Sequence, residues 1–134
     1  KPVDEATVPQ IVFSFPEAAS VGLTVEQAQA REDLIEIKET NYPMLANALM
    51  LMSGTAGSLT LVSGCDATNP DTPRVLGVHM VSQMASDIIA EAEQLVGNRV
   101  PLADAARLVH PHPTFSETLG EALLKADGRP LHTR

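Results

Sequence analysis

SLTLVS (residues 58–63) and RVLGVHMV (residues 74–81) bracket the turn-rich run GCDATNPDTP (residues 64–73). Leu, Val and Thr dominate the flanks and suit a pleated, half-buried surface, whereas Gly, Asn, Asp and Pro between them favour turns. The pattern predicts an antiparallel hairpin with a long loop, and it puts Cys65 in that loop. Directly downstream, Ile88, Ile89, Ala92, Leu95 and Val96 recur at helical spacing within residues 84–96, and Gly97 supplies a stop. A helix over 84–96 can therefore lay one apolar stripe on the hairpin.

Upstream, LIEIKET (residues 34–40) alternates as a half-buried strand does. Thr24-Val25-Glu26-Gln27 has the form of a capping box and opens a short helix reaching about residue 31. PQIVFSFP (residues 9–16), closed by proline, reads as a short edge strand that Val21-Gly22-Leu23 continues after a turn. Downstream, a short helix over 101–108 starts at a proline, and a final helix over 114–126 ends before Asp127-Gly128. Residues 41–57 are Met-rich, lack a period and receive no assignment. Strands and helices mix without regular βαβ alternation. The fold class expected is α+β, a mainly antiparallel sheet with helices packed on one face, in one domain spanning residues 1–134.

A chain of 134 residues, 44% of them hydrophobic, is large enough to sustain a core without staples. Nine basic residues against 17 acidic ones give a net charge of -8, which opposes a phosphate backbone, and three Phe, one Tyr and no Trp offer no stacking platform. Nucleic acid is excluded as an expected partner. So is a membrane, since the most apolar run, residues 44–52, is too short to span one and contains Asn47. One cysteine cannot form an internal disulfide, and no signal peptide is seen, so the expected location is cytoplasmic. The chain opens at Lys1 without a methionine and reads as an excised part of something longer. The five methionines, Met44, Met50, Met52, Met80 and Met84, are expected as core or interface filler.

No glycine-rich phosphate loop, Cys-x-x-Cys pair or hydrolase elbow occurs. The dense constellation is His110-Pro111-His112-Pro113-Thr114-Phe115-Ser116-Glu117. Pro113 biases His112 toward an extended backbone, outside the helix that follows, so its imidazole can fold back over the first turn where Glu117 lies. A carboxylate on one ring nitrogen orients the ring and leaves the other as an acid or base. Thr114 to Glu117 is equally a plain capping box, in which Glu117 only completes the helix start. A His-based metal site joining His110 and His112 to His79 or His132 is a third possibility, although His-x-His alone is a weak ligand signature.

The same eight residues resemble the H-x-H-P-T-x-S-E signature that closes the pyridine nucleotide-disulfide oxidoreductases, most closely their dihydrolipoamide dehydrogenase branch. The resemblance extends to residues 9–30, to Arg74-Val75-Leu76-Gly77-Val78-His79, to residues 85–92 and to the tail at 125–132. It implies the C-terminal dimerisation domain of a homodimeric enzyme that uses FAD and NAD, whose cofactor domains and redox cysteine pair lie upstream. It further implies that His112 is the acid–base residue for a dihydrolipoyl group or another small dithiol at the partner subunit's site. Glu117 would orient His112, and His112 with Pro113 would face the partner's flavin region. No metal, and no cofactor bound by this segment alone, is expected, so the isolated domain should be inactive. Pro111 stands where the family often has Ala, the 47–49 segment lacks an often-present Arg, and the loop at 64–73 is long. These departures keep glutathione- or mycothiol-type reductases as alternatives, along with a free-standing dimerisation module without catalysis.

Overall fold

The computed structural model describes residues 2–43 and 57–129. Among them a 3-10 turn, Glu5–Thr7, precedes five strands: β1 (Gln10–Val12), β2 (Glu17–Gly22), β3 (Leu34–Pro43), β4 (Ser58–Asp66) and β5 (Arg74–Ser82). Four helices are interspersed: α1 (Val25–Gln29) after β2, then α2 (Ala85–Gly97), α3 (Leu102–Ala106) and α4 (Glu117–Ala126) after β5. The strands form one sheet in the order β1-β2-β5-β4-β3, and every neighbouring pair is antiparallel. The α+β class with an antiparallel sheet is thus observed, and the 58–81 hairpin is its centre.

Alternation along the strands divides the core. Leu59, Leu61, Val78 and Met80 face one side, where Ile88, Ile89, Ala92 and Leu95 of α2 and Leu119, Ala122 and Leu123 of α4 complete the main cluster. Burying each such aliphatic side chain stabilises by roughly 1.5–3 kcal/mol. Val62 and Leu76 belong to a second, smaller cluster with Leu34 and Ala28. Helix α1 therefore seats on the other sheet face, held by the expected capping box: Thr24 Oγ1 accepts from Gln27 N–H and Gln27 Oε1 from Thr24 N–H.

Several boundaries differ from the sequence expectation. β4 continues through Gly64 and Cys65 to Asp66, so Cys65 is a buried strand residue and not a loop residue. The bulges at Val62/Ser63 and Ile35/Lys38 interrupt the period that would have shown this, and Glu36 takes a positive φ of 55° at the second. Burial pushes the Cys65 thiol up, away from thiolate chemistry. β1 keeps only three residues at the sheet edge and leaves Phe13 and Phe15 exposed. Glu17–Gly22 forms a strand that its composition does not announce, because β5 pairs with it along its whole length. The final helix starts at Glu117 and not at Thr114, with Ser116 as N-cap and no side-chain cap bond. Met80 is in the core and Met84 is exposed, while the other three methionines, the 47–49 segment and His132 lie outside the described residues. No helix among the described residues is long and apolar enough to cross a membrane.

Candidate functional site

Helix α4 is buried on nearly every side, and it brings two carboxylates, Glu117 and Glu121, and the bare backbone of Gly120 to one cavity. The cavity, about 650 Å³, is closed on its other side by the segment after α3, including Leu108, His110 and His112. This segment, 107–116, carries no strand or helix and is tied down through its side chains. Thr114 Oγ1 donates to the Pro111 carbonyl at 2.7 Å and lies 3.1 Å from Ser116 Oγ.

His112 Nδ1 stands 2.8 Å and 3.0 Å from the two Glu117 carboxylate oxygens. The ring is 64% exposed and the carboxylate beneath it only 11%. An ionised carboxylate only accepts, so opposite one Nδ1 is the donor of this pair, and in a neutral ring the lone pair is then on Nε2. Pro111 and Pro113, on either side of it in sequence, are exposed.

His110 is the counterpart that sequence reasoning assigned no such role. Its Nε2 lies 2.6 Å from Glu91 Oε1 on α2, and its ring is 11% exposed. It rests against the backbone of Gly120, where an added Cβ would come within 2.4 Å of Nδ1. The hydrogen bond to Glu91 raises its pKa above the ordinary imidazole range against the opposing effect of burial, with a smaller contribution from the negative charge of Glu117. Deeper still, the buried Tyr42 hydroxyl donates to the Glu121 carboxylate, and burial followed by that carboxylate drives the Tyr42 pKa far up. Nothing in local spacing could have announced these two pairs, since their members are 19 and 79 residues apart.

Among the described residues the metal alternative is not assembled, and His132 lies outside them. His79 lies on β5, its Nε2 2.9 Å from the Leu23 carbonyl oxygen, and among the described residues no three His, Cys, Asp or Glu side chains converge to hold an ion. Neither the closely packed glycines of the sheet nor the mouth of α2 is free to hold a dinucleotide phosphate. Phosphate cradles need open helix N-termini and glycines that approach the ligand. Here Gly22 and Gly77 spend their close approach on the backbone of Leu76 and Leu23. The mouth of α2 is already filled by Glu17, which accepts from Ser86 N–H at 3.2 Å and from its hydroxyl at 2.9 Å.

Residues 8–123 match the family model described as the pyridine nucleotide-disulphide oxidoreductase dimerisation domain. A dihydrolipoyl dehydrogenase of Bacillus subtilis is 36% identical over 98% of this chain, and one of Cupriavidus necator is 36% identical over 97%. The chain spans about a quarter of the length of each, 26% in both cases. Among solved structures, LpdA of Mycobacterium tuberculosis superposes with a TM-score of 0.81 at 26% identity, over 94% of this chain and 26% of its own. The copper(II) complex of RclA, an HOCl-induced flavoprotein disulfide reductase of Escherichia coli, does so at 0.74 and 25%, over 89% of this chain and 26% of its own. The match along 8–123 and the antiparallel fold agree, and the chain belongs to the dimerisation-domain family of the pyridine nucleotide-disulphide oxidoreductases.

Proposed function

We propose that this chain is the dimer-forming part of a FAD- and NAD-dependent disulfide oxidoreductase that oxidises a dihydrolipoyl group, and that it supplies the acid–base residue His112 to the partner subunit's dithiol site. The observation that carries this reading is the pairing of an exposed imidazole with a nearly buried carboxylate, Nδ1 to Glu117 at 2.8 Å. FAD and NAD are assigned to parts of the protein outside this chain.

The chemistry asked of the chain is one proton transfer. With Nδ1–H donated to Glu117, Nε2 accepts the proton of a substrate thiol, and Glu117 steadies the imidazolium that results. The thiolate attacks one sulfur of a disulfide held by the rest of the protein. A new S–S bond forms, the old one breaks, and the departing sulfur leaves as a thiolate while His112 holds the proton. Homodimer formation follows from the same reading, because an exposed His112 rim completes a site only when another surface closes over it. A second reading, a disulfide reductase with a different small substrate, is favoured by the structural likeness to the flavoprotein disulfide reductase.

His112→Gln in the full-length flavoenzyme should slow dithiol–disulfide exchange by about 10² to 10⁴, the usual loss for a general base. Glu117→Gln should cost less, since the imidazole remains. Stopped-flow comparison of the dithiol and nicotinamide half-reactions reads this directly. An unimpaired dithiol half-reaction in His112→Gln refutes the assignment, and activity with a small disulfide but none with dihydrolipoamide selects the second reading.

A further inference from the structure

We propose that His110 is the positioning residue of the acid–base pair: clamped between Glu91 on α2 and Gly120 on α4, it anchors the 110–113 segment so that His112 stays over Glu117. This inference rests on the reading of His112 as the acid–base residue. Its geometric content is separate from that reading.

Two imidazoles stand two residues apart in one segment and are treated oppositely. His112 is 64% exposed, as a residue that meets a substrate must be, whereas His110 is 11% exposed and is bonded to Glu91, itself 33% exposed. A largely covered imidazole with a short carboxylate bond on one side and a close-packed backbone on the other is a fixed point, because moving it breaks the bond and loses the packing together. Gly120 makes the seat. It lies one turn beyond Glu117 on the same helix, and a side chain there would collide with the His110 ring at 2.4 Å. Helix α4 therefore holds His110 at Gly120 and His112 at Glu117, while Glu91 reaches in from α2, the helix that packs on β2 and β5. The charged and titratable groups around the cavity are Glu91, Arg107, His112, Glu117, Glu121 and Arg129. Glu91 bonds His110 directly, and the adjacent negative charge of Glu117 favours the same protonated state. A misplacement of about 1 Å in a reacting group can cost about 100-fold in rate, so an anchor two residues away has leverage without touching substrate.

The test compares His110→Ala, Glu91→Gln and Gly120→Ala in the full-length flavoenzyme, with His112→Gln as reference. The first readout is the ring ¹³C resonances of His112, assigned by their loss in His112→Gln, which report the Nδ1–H tautomer. The parent should show that tautomer, and His110→Ala and Gly120→Ala should show a mixture. The second readout is dithiol turnover: kcat should fall about 10- to 100-fold with KM within twofold, and Glu91→Gln should fall less. Gly120→Ala should add nothing in a His110→Ala background, since the two act through one contact. If His110→Ala fails to fold, Gly120→Ala and Glu91→Gln carry the same readouts. Parent-like tautomer in the variants overturns the proposal, and so does parent-like kcat where His112→Gln is impaired. Full turnover in His112→Gln overturns the acid–base reading instead, and the tautomer alone then decides whether His110 holds the segment.

Discussion

Tyr42 and Glu121, 79 residues apart in sequence, meet in the core because β3 runs under α4 and places the phenol against the second turn of the helix. A carboxylate buried as Glu121 is needs donors, and the phenol is one of them. Tyr42→Phe keeps the ring and removes that donor, so we expect a loss of about 1–3 kcal/mol in urea unfolding. A change below about 0.5 kcal/mol would show that the hydroxyl contributes nothing net. At His110 the sign of the pH dependence is fixed. Its folded pKa is raised by the bond to Glu91, so its contribution is fully present below the unfolded value near 6.5 and disappears as pH rises through the folded one. The stability gap between the parent and His110→Gln should accordingly narrow from pH 6 toward alkaline pH, and a constant gap would contradict the assignment.

At the scale of elements, Asp66 at the end of β4 accepts from Arg74 Nε and Nη2 at 3.0 Å each on β5, and from Arg99 Nη2 at 3.0 Å beyond α2. The Arg74 bond is the main cause of its lowered pKa. Stability from Asp66 is present above the ordinary carboxylate pKa and is lost as pH falls through the folded value. Asp66→Asn should therefore cost about 1–3 kcal/mol at neutral pH and flatten the acid limb of stability between about pH 5 and 2, read by denaturant titration at stepped pH. An acid limb as steep as the parent's would place the titration elsewhere. Elements with a strong local signal were legible: the Thr24 box, the 3.6-residue stripe of α2 and the alternating flanks of the hairpin need no tertiary information. The limits of β4 were hidden by bulges, and β2 by an Ala- and Ser-containing sequence that only its pairing with β5 makes a strand. The start of α4 shifted because 110–116 is held by side chains and not by a capped helix turn. The proximity of His112 to Glu117 was legible because both lie in one short segment. The support from Glu91 and Gly120 was not, since it arises only when α2 and α4 are packed together.

For the whole molecule, the exposed large apolar side chains among the described residues include Val12, Phe13 and Phe15 at and after β1, and a pair, Leu108 and Val109, on the segment that leads to His112. Val109 is 94% exposed and its neighbour Leu108 60%, so the two present adjoining apolar surface on the segment that carries His112. If the His112 rim serves a partner subunit, Leu108 and Val109 lie where that subunit must approach. A charge there would face desolvation on association and nothing in the monomer. Val109→Asp should therefore leave thermal unfolding of the monomer within about 0.5 kcal/mol of the parent, as surface substitutions do, while weakening self-association at least tenfold. Sedimentation equilibrium across a concentration series measures the second quantity. An unchanged association constant in Val109→Asp would move the dimer contact away from this rim, and with it the proposed delivery of His112 across the interface.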